Sequence, residues 1–539
     1  MRGGAARRRA AGRGGRGPVG FVAQTARTLV RTGIVGPMRP RVLGDVVRTA
    51  YRYGPALPTM LGIAAARYPD RPAVIDDHEV VTYAELRRRA DTAAAFLHHH
   101  GRLRRGSKLG ILCRNHAGFA TATLGGAAIG ADLVFLNTEF AGPQLAEVLA
   151  RERVAALFQD SEFDEAVDRA GFAGPRVAAD LPLREDGGTP AAPAVRGASR
   201  IVMLTSGTTG TPKGAPRDVR PLALAVPAIG MVDAMGLRSG DPLVVLPPLF
   251  HGFGLAYWTL ALALGSPIVI RRRFEPEVAW QLVSQHRAAA LFGVPVMLQR
   301  MLTVPRELRR ECDTTSLKAI GVAGAPLGPA LADRLLDEFG DVVFNLYGST
   351  ETGWSTFATP ADLRAAPGTI GPPAQGVTVR VLDPNGRRLP PGETGTLHVG
   401  SRMTFSGYSG GGGKAVVDGL MNTGDLGHVD EAGRLFVDGR EDDMIVSGGE
   451  NVFPQEVEEL LARHEAVADV AVFGVPDDEF GQRLAAHVVP VDGATVTADE
   501  LRAHVRANLA RYKVPRDVVF TDDLPRNATG KVLTRQLKS

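Results

Sequence analysis

Cysteine is nearly absent: Cys113 and Cys312 are the only two in 539 residues. Two thiols exclude a disulfide framework and a cysteine-built metal site, and they fit a reducing, cytoplasmic setting. No apolar run reaches the roughly 18 uncharged residues that a membrane-crossing helix needs, which excludes a conventional transmembrane span. Lysine is scarce, seven against 55 arginines, so a lysine inside a motif carries unusual weight. Acid is scarce in one region only. Residues 1–52 hold twelve arginines and one acid, Asp45, for a net charge of +11. The whole chain is +4, so residues 53–539 sum to −7. The basic excess belongs to the N-terminal segment, and a nucleic-acid-binding main body loses its support.

What is present is a globular composition, 44% hydrophobic and 22% charged, with length for several folding units. Residues 1–57 read as a basic extension. Residues 1–17 are Arg, Gly and Ala with almost nothing to bury, which predicts disorder. Arg27 and Arg31 interrupt the stretch from Pro18, which argues against a secretory signal, and the lack of serine before Ser107 argues against a transit peptide. From Arg41 to Tyr51 the pattern turns helical, with Val42, Leu43, Val46, Val47 and Ala50 on one face. That face is expected to pack on the main domain; contact with an anionic membrane periphery is the second reading.

From Pro58 onward short apolar runs alternate with amphipathic segments, as at Ile201–Leu204, Leu243–Leu246, Ile268–Ile270, Ala319–Val322 and Val342–Leu346. The alternation predicts an α/β fold with mainly parallel, buried strands. A glycine-rich loop falls at Gly407–Gly413. After Gly439-Arg440 a last unit offers its own helices and strands, with Thr497-Ala498-Asp499-Glu500 spaced as a capping box. The expected division is a large domain over 58–440 and a small α/β domain over 441–539.

The most specific segment is Leu204-Thr205-Ser206-Gly207-Thr208-Thr209-Gly210-Thr211-Pro212-Lys213-Gly214. Glycines let backbone N–H groups converge on an anion, hydroxyls add donors, and Lys213 adds charge for a polyphosphate. It lacks the Gly-Lys-Ser/Thr ending of a Walker A loop. This segment resembles the phosphate loop of the adenylate-forming superfamily of acyl-CoA synthetases, luciferases and peptide-synthetase adenylation domains. Four further segments resemble that family's signatures in the same order. Asn345-Leu346-Tyr347-Gly348-Ser349-Thr350-Glu351 is similar to its adenine and magnesium segment, and Asn422-Thr423-Gly424-Asp425 to its ribose site. Gly439-Arg440-Glu441-Asp442-Asp443 is similar to its hinge, and Pro525-Arg526-Asn527-Ala528-Thr529-Gly530-Lys531 to its catalytic-lysine loop.

The resemblance covers residues 58–539 and implies ATP, Mg²⁺ and coenzyme A as the small-molecule requirements. It implies Thr205, Ser206, Gly207, Thr208, Thr209, Gly210 and Lys213 for the phosphates, and Gly324, Ala325, Pro326, Asn345, Tyr347, Gly348, Thr350, Asp425 and Arg440 for AMP. Glu351 is a hard oxygen ligand suited to Mg²⁺. Asp425 can accept both ribose hydroxyl protons and Arg440 supplies a donor fork. Lys531 is expected to swing in with the small domain and neutralise charge as a carboxylate attacks the α-phosphate. Asp442 falls at the expected pivot, and Gly448 and Gly449 at the expected pantetheine tunnel. The Gly410–Gly413 run replaces a longer polar stretch that relatives carry before Asp418.

Substrate class is read from Pro247-Pro248-Leu249-Phe250-His251-Gly252-Phe253-Gly254. No aspartate between Leu243 and Ser266 is present to pair an amino group, and the motif resembles the acyl and aryl acid branch. There His251 lines the carboxylate site and is counted with Lys531 and Glu351 as catalytic. Phe250, His251, Gly321 and Ala323 form the expected acyl pocket, whose small apolar wall leaves room for an alkyl chain. The reading is a fatty-acid–CoA ligase acting through acyl-AMP on medium- or long-chain acids. Its rivals are a fatty-acyl-AMP ligase loading a carrier protein and a non-catalytic nucleotide or acyl-lipid binder.

Overall fold

The computed structural model describes residues 18–181, 190–205, 213–218, 221–405, 407–409, 411–447, 450–477, 481–528 and 530–538. Among these the chain builds four sheets. The largest has eight strands in the order Gly353–Ala358, Val343–Ser349, Ala319–Val322, Ala290–Gly293, Leu243–Val245, Ile268–Val269, Pro72–Ile75, Val80–Thr82. All neighbours are parallel except the two edge pairs. Leu243, Val244, Leu291 and Ile320 are fully buried, because helices cover both faces, which is why these strands read as continuous apolar runs.

A six-stranded sheet runs Arg176–Ala178, Val154–Gln159, Lys108–Leu112, Asp132–Phe135, Arg200–Thr205, Lys213–Asp218, parallel but for its last pair. The helices Ala117–Ala128 and Gly252–Leu264 lie within one core shared by both sheets, where Phe119, Phe135, Trp258 and Phe292 are buried. The third sheet, spanning 378–440, departs from the parallel pattern expected up to Arg440: its pairings are all antiparallel. No helix lies between Thr378 and Arg440 among the described residues, and turns without a crossover helix join antiparallel neighbours.

The chain leaves that sheet at Arg440 and enters another at Ile445. The fourth sheet (Ile445–Ser447, Glu450–Val452, Val467–Asp477, Gly481–Pro490, Asp517–Phe520) packs on the helices Pro454–Leu461 and Ala498–Asn508. Val457, Leu461, Leu484, Ala486 and Val505 form its own core. Thr497 and Glu500 make the anticipated capping box.

Two helices, Pro18–Arg31 and Pro40–Tyr53, precede these layers. The second forms where a helix is expected, but its apolar residues do not share one packed face. Val42 and Val46 are half-buried and Thr49 and Tyr53 are buried, whereas Leu43, Val47 and Ala50 are exposed. The packed seam follows the 42, 46, 49, 53 spacing because Gly62 on the helix Leu57–Arg67 lets Thr49 come close. A Cβ at Gly62 would lie 2.3 Å from Thr49 Cγ2. No described helix is long and apolar enough to cross a membrane.

Candidate functional site

Parallel strands end at a common edge, so the segments after them are brought together whatever their distance in sequence. In the eight-stranded sheet this edge receives Leu249–His251 after Leu243–Val245, Val294–Val296 after Ala290–Gly293, Ala323–Pro326 after Ala319–Val322, and Gly348–Glu351 from Val343–Ser349. Gly324 has φ +91° and a Cβ there would stand 3.1 Å from Val294, so the turn at Gly324-Ala325-Pro326 lies beside the neighbouring segment. Asn345 is buried and donates to the Thr369 carbonyl at 3.1 Å, which holds its strand rather than opening toward the edge. Gly348 sits so close to Gly353 that a Cβ would be 2.1 Å from its carbonyl oxygen.

The third sheet brings Asp425 and Arg440 to the same place. They are register partners on the strands Leu420–Val429 and Leu435–Arg440, with Arg440 Nη1 3.5 Å from Asp425 Oδ1. The Tyr347 hydroxyl donates to Asp425 Oδ2 at 2.5 Å. Tyr347 thus orients Asp425 while its ring rests against the small core of Ile370, Val381, Leu397 and Leu435. Burial raises the Asp425 carboxyl above its ordinary value, with Tyr347 and Arg440 opposing. Arg440 Nε also donates to Asp442 at 2.8 Å.

Glu351, in the turn after Gly348, accepts from the Tyr408 hydroxyl at 3.0 Å. Burial first, then Glu351, pushes the Tyr408 phenol up to about 12, so it stays a donor. Ser409 donates its backbone N–H to the Gly214 carbonyl at 2.8 Å. The glycine-rich loop therefore folds across the base of the phosphate segment. The strands on either side of that segment are paired antiparallel from Arg200–Asp218 to Thr205–Lys213. Ser206, Gly207, Thr208, Thr209 and Gly210 lie outside the described residues, as do Gly448 and Gly449, which fall between the paired Ser447 and Glu450.

The Lys531 loop reaches this edge from the C-terminal unit. Ala528 donates its N–H to Glu139 Oε2 at 2.9 Å and packs against the main core. Gly530, at φ +82°, lies where a Cβ would be 2.6 Å from Val296 and 3.1 Å from Val294. Arg526 braces the loop by donating to the Gly530 carbonyl at 2.7 Å while pairing with Asp469 at 2.6 Å. The exposed Lys531 is near Asp442: burial pushes that carboxyl upward, and Arg440, with a smaller contribution from Lys531, turns the net shift downward.

The chain that carries these residues matches known families over most of its length. A family model described as AMP-binding enzyme matches residues 62–409, and one described as AMP-binding enzyme C-terminal domain matches 456–531. The chain belongs to the AMP-binding enzyme family. Its fold is the adenylate-forming one, a large α/β domain with mainly parallel sheets and a smaller C-terminal domain. It is 34% identical over 479 residues to a feruloyl-CoA synthase of an Amycolatopsis species, covering 87% of this chain and 96% of that protein. It is 31% identical over 498 residues to the fatty acid–[acyl-carrier-protein] ligase ScoC of Streptomyces coeruleorubidus, covering 88% and 94%. The structure of o-succinylbenzoate CoA synthetase from Bacillus subtilis with its acyl-adenylate aligns at TM-score 0.79 and 29% identity, covering 89% and 98%.

In this AMP-binding enzyme the acid side of the edge differs from the open wall expected on sequence. Phe292 covers Gly321, where a Cβ would lie 2.5 Å from its ring. Phe292 stacks on Tyr257 with centroids 3.5 Å apart, and Phe253 meets Tyr257 edge-on at 5.2 Å. An aromatic trio thus occupies the space assigned to an alkyl chain, because the neighbouring strand projects Phe292 over the glycine. Phe250 is buried in the main core rather than lining open space, and Ala323 is half-buried beside Gly324. His251 precedes the helix Gly252–Leu264, and its buried Nε2 has no hydrogen-bond partner. Burial lowers its pKa to about 4, so the ring is neutral at neutral pH.

Four residues at the edge were not singled out on sequence. Asn115 clamps the acid segment from both sides, donating to the Pro247 carbonyl at 3.0 Å and accepting from Leu249 N–H at 2.7 Å. Tyr408 and Glu139 carry no local signal beyond an aromatic among glycines and a loop acid. Lys414 donates to the Thr423 carbonyl at 3.2 Å beside Asp425, and lysine scarcity was a signal that could have found it. Cys113, His116 and Asp160 form a buried cluster of metal-type ligands. The His116 Nδ1 accepts from Gly118 N–H at 3.0 Å, so its Nε2 donates to Asp160 at 2.6 Å. No ring nitrogen remains for the thiol, and burial raises the Cys113 pKa well above its ordinary value, which makes this a structural network.

Proposed function

We propose that this chain is an AMP-forming acid–thiol ligase: a carboxylate oxygen attacks the α-phosphate of ATP, pyrophosphate leaves, and the sulfur of coenzyme A then displaces AMP from the acyl-AMP. The observation that carries this reading is the docking of the Lys531 loop onto the edge that also holds Tyr347, Glu351, Asp425 and Arg440. Attack of one anion on another needs positive charge placed in advance, and Lys531 is the residue for it. Asp425, held by Tyr347, takes the ribose hydroxyls, and Gly324-Ala325-Pro326 gives the nucleotide a flat backbone to lie on. Thr205, Lys213 and the segment between them take the phosphates. His251, neutral and unpartnered, offers one hydrogen bond at the carboxylate.

The donor set at Glu351 fits Mg²⁺. One carboxylate oxygen is oriented by Tyr408, and a single carboxylate with phosphate oxygens and waters is a common magnesium environment in nucleotide sites. Bound there, the cation would neutralise phosphate charge. Gly448 and Gly449 stand as the pantetheine-tunnel residues and Asp442 as the pivot between residues 58–440 and 441–539.

For the acid, the aromatic trio of Phe253, Tyr257 and Phe292 favours a compact aryl or arylalkyl carboxylate over a long alkyl chain. A long chain would need an open tunnel, and Phe292 fills the one expected over Gly321. The feruloyl-CoA synthase and succinylbenzoate relatives support this reading, and the likeness to ScoC keeps fatty acids and a carrier-protein acceptor as the second. The test is AMP release from a panel of cinnamic-type, arylacetic, benzoic and medium- to long-chain acids, with and without coenzyme A. Coenzyme-A-dependent turnover of aryl acids supports the proposal. Turnover confined to fatty acids overturns the pocket assignment, and acyl-AMP that accumulates unless a carrier protein is added overturns the acceptor.

A further inference from the structure

We propose that the exposed side of the helix Pro40–Tyr53 docks the protein onto an anionic lipid surface. Leu43, Val47 and Tyr51, spaced by four residues, form one strip and are 49%, 59% and 75% exposed. Val30 and Val35, ahead of the helix, are exposed as well, so five of the thirteen exposed large apolar side chains among the described residues fall within residues 30–51. Beside the strip, Arg41, Arg48 and Arg52 make a row at helical spacing, all exposed, and Arg39 stands exposed toward the opposite flank. The single acid of the helix, Asp45, lies 3.2 Å from Arg48 and leaves the row strongly positive. Arg196, from outside the helix and itself exposed, lies against the Tyr51 ring with its guanidinium carbon 5.5 Å from the ring centre.

The opposite side of this helix is already used. Val42, Val46, Thr49 and Tyr53 pack inward, so the strip is a second apolar face, exposed at Leu43 and Val47 and met by Arg196 at Tyr51. The helix also lies before residue 62, where the family match begins.

Charge selects the occupant. A second copy would bring two segments of +11 together, and like charges oppose that contact. Three side chains also fall far short of the roughly 800 Å² per partner that a stable protein interface buries. A bilayer asks for less: apolar side chains enter the acyl boundary while arginines extend to lipid phosphates, and Tyr51 suits the boundary itself.

The test is vesicle flotation of the full chain, using phosphatidylcholine alone and phosphatidylcholine with about one-third phosphatidylglycerol, at low salt and at about 1 M salt, where the Debye length falls to roughly 3 Å. The expected result is flotation with the anionic vesicles only, lost at high salt. A Leu43→Ser, Val47→Ser, Tyr51→Ser variant and an Arg41→Gln, Arg48→Gln, Arg52→Gln variant should each bind roughly tenfold more weakly. Thermal melts unchanged from the parent verify that both variants fold. The proposal is overturned by absence of flotation, by flotation indifferent to both variants, by binding that disappears only when residues 1–17 are deleted, or by strip-dependent self-association in sedimentation. Flotation reads none of the catalytic steps, so its failure leaves the ligase reading intact, and the reverse holds.

Discussion

The two halves of the candidate site are held in different ways. On the nucleotide side, Asp425 and Arg440 are opposed on paired strands, Tyr347 comes from a strand of another sheet, and a hydrogen bond and an ion pair tie the three together. On the lysine side, the loop meets the large domain through one N–H to Glu139, a glycine seated on Val294 and Val296, and the small Ala528. Strands paired along their length cannot shift one residue without losing a ladder, whereas a loop with few contacts can leave and return. The difference teaches that one half is fixed by paired strands and the other by a few loop contacts.

The sharpest way to break this comparison is Lys531→Ala. Acyl-AMP formation should fall about a hundredfold or more, a barrier increase of roughly 3 kcal/mol, while coenzyme A transfer from preformed acyl-AMP stays largely intact. Single-turnover assays of the two half-reactions check it; equal losses would mean that the lysine does not leave.

Next in size is Asp442→Pro. Fixing φ at the junction should hold the loop where it is now, so adenylation survives and coenzyme A transfer drops by at least about tenfold. A lowered melting temperature with both steps slowed alike would instead make Asp442 an ordinary turn acid.

Glu139→Ala removes the carboxylate that receives Ala528 N–H and nothing on the nucleotide side. Loss of one charge-assisted contact at the surface, worth about 1 kcal/mol, should slow adenylation roughly fivefold and leave nucleotide affinity unchanged. Nucleotide titration alongside the half-reaction assay separates the two regions.

The smallest effect concerns the stability of the small domain. Glu458 accepts from Val472 N–H at 2.7 Å, and burial raises its pKa to about 7. Its folded value lies above the unfolded one, so its contribution is fully present below about pH 4.5 and is lost as pH rises through about 7. Glu458→Gln keeps the acceptor without the charge and should raise the melting temperature by a few degrees at pH 8 and by less at pH 5. A pH-independent change would place the effect in packing.

The sequence carried the strands better than their ends. Ala319–Val322 and the capping box at Thr497 were readable because apolar runs and turn chemistry are local properties, whereas the strand expected at Val342–Leu346 runs from Val343 to Ser349. The glycines at 324, 348 and 530 were readable as motif members, but their reasons, contacts with Val294, Gly353 and Val296, were not. Lys414 was within reach of the same scarcity argument that singled out Lys531. Glu139 was not, since its partner Ala528 is 389 positions away.

By itself, the sequence determined the layered α/β architecture, the order of the motif segments and the confinement of the net positive charge to the N-terminal segment, because periodicity, motif spacing and charge are properties of neighbouring residues. Only the tertiary structure decided the rest. Which stripe of the helix Pro40–Tyr53 packs inward depended on Gly62 admitting Thr49. Whether Gly321 faces an open channel depended on Phe292 from the adjacent strand. Where the Lys531 loop rests depended on an acid 389 positions before Ala528. Each is a choice between surfaces of nearly equal polarity, and such a choice is made by what packs against them.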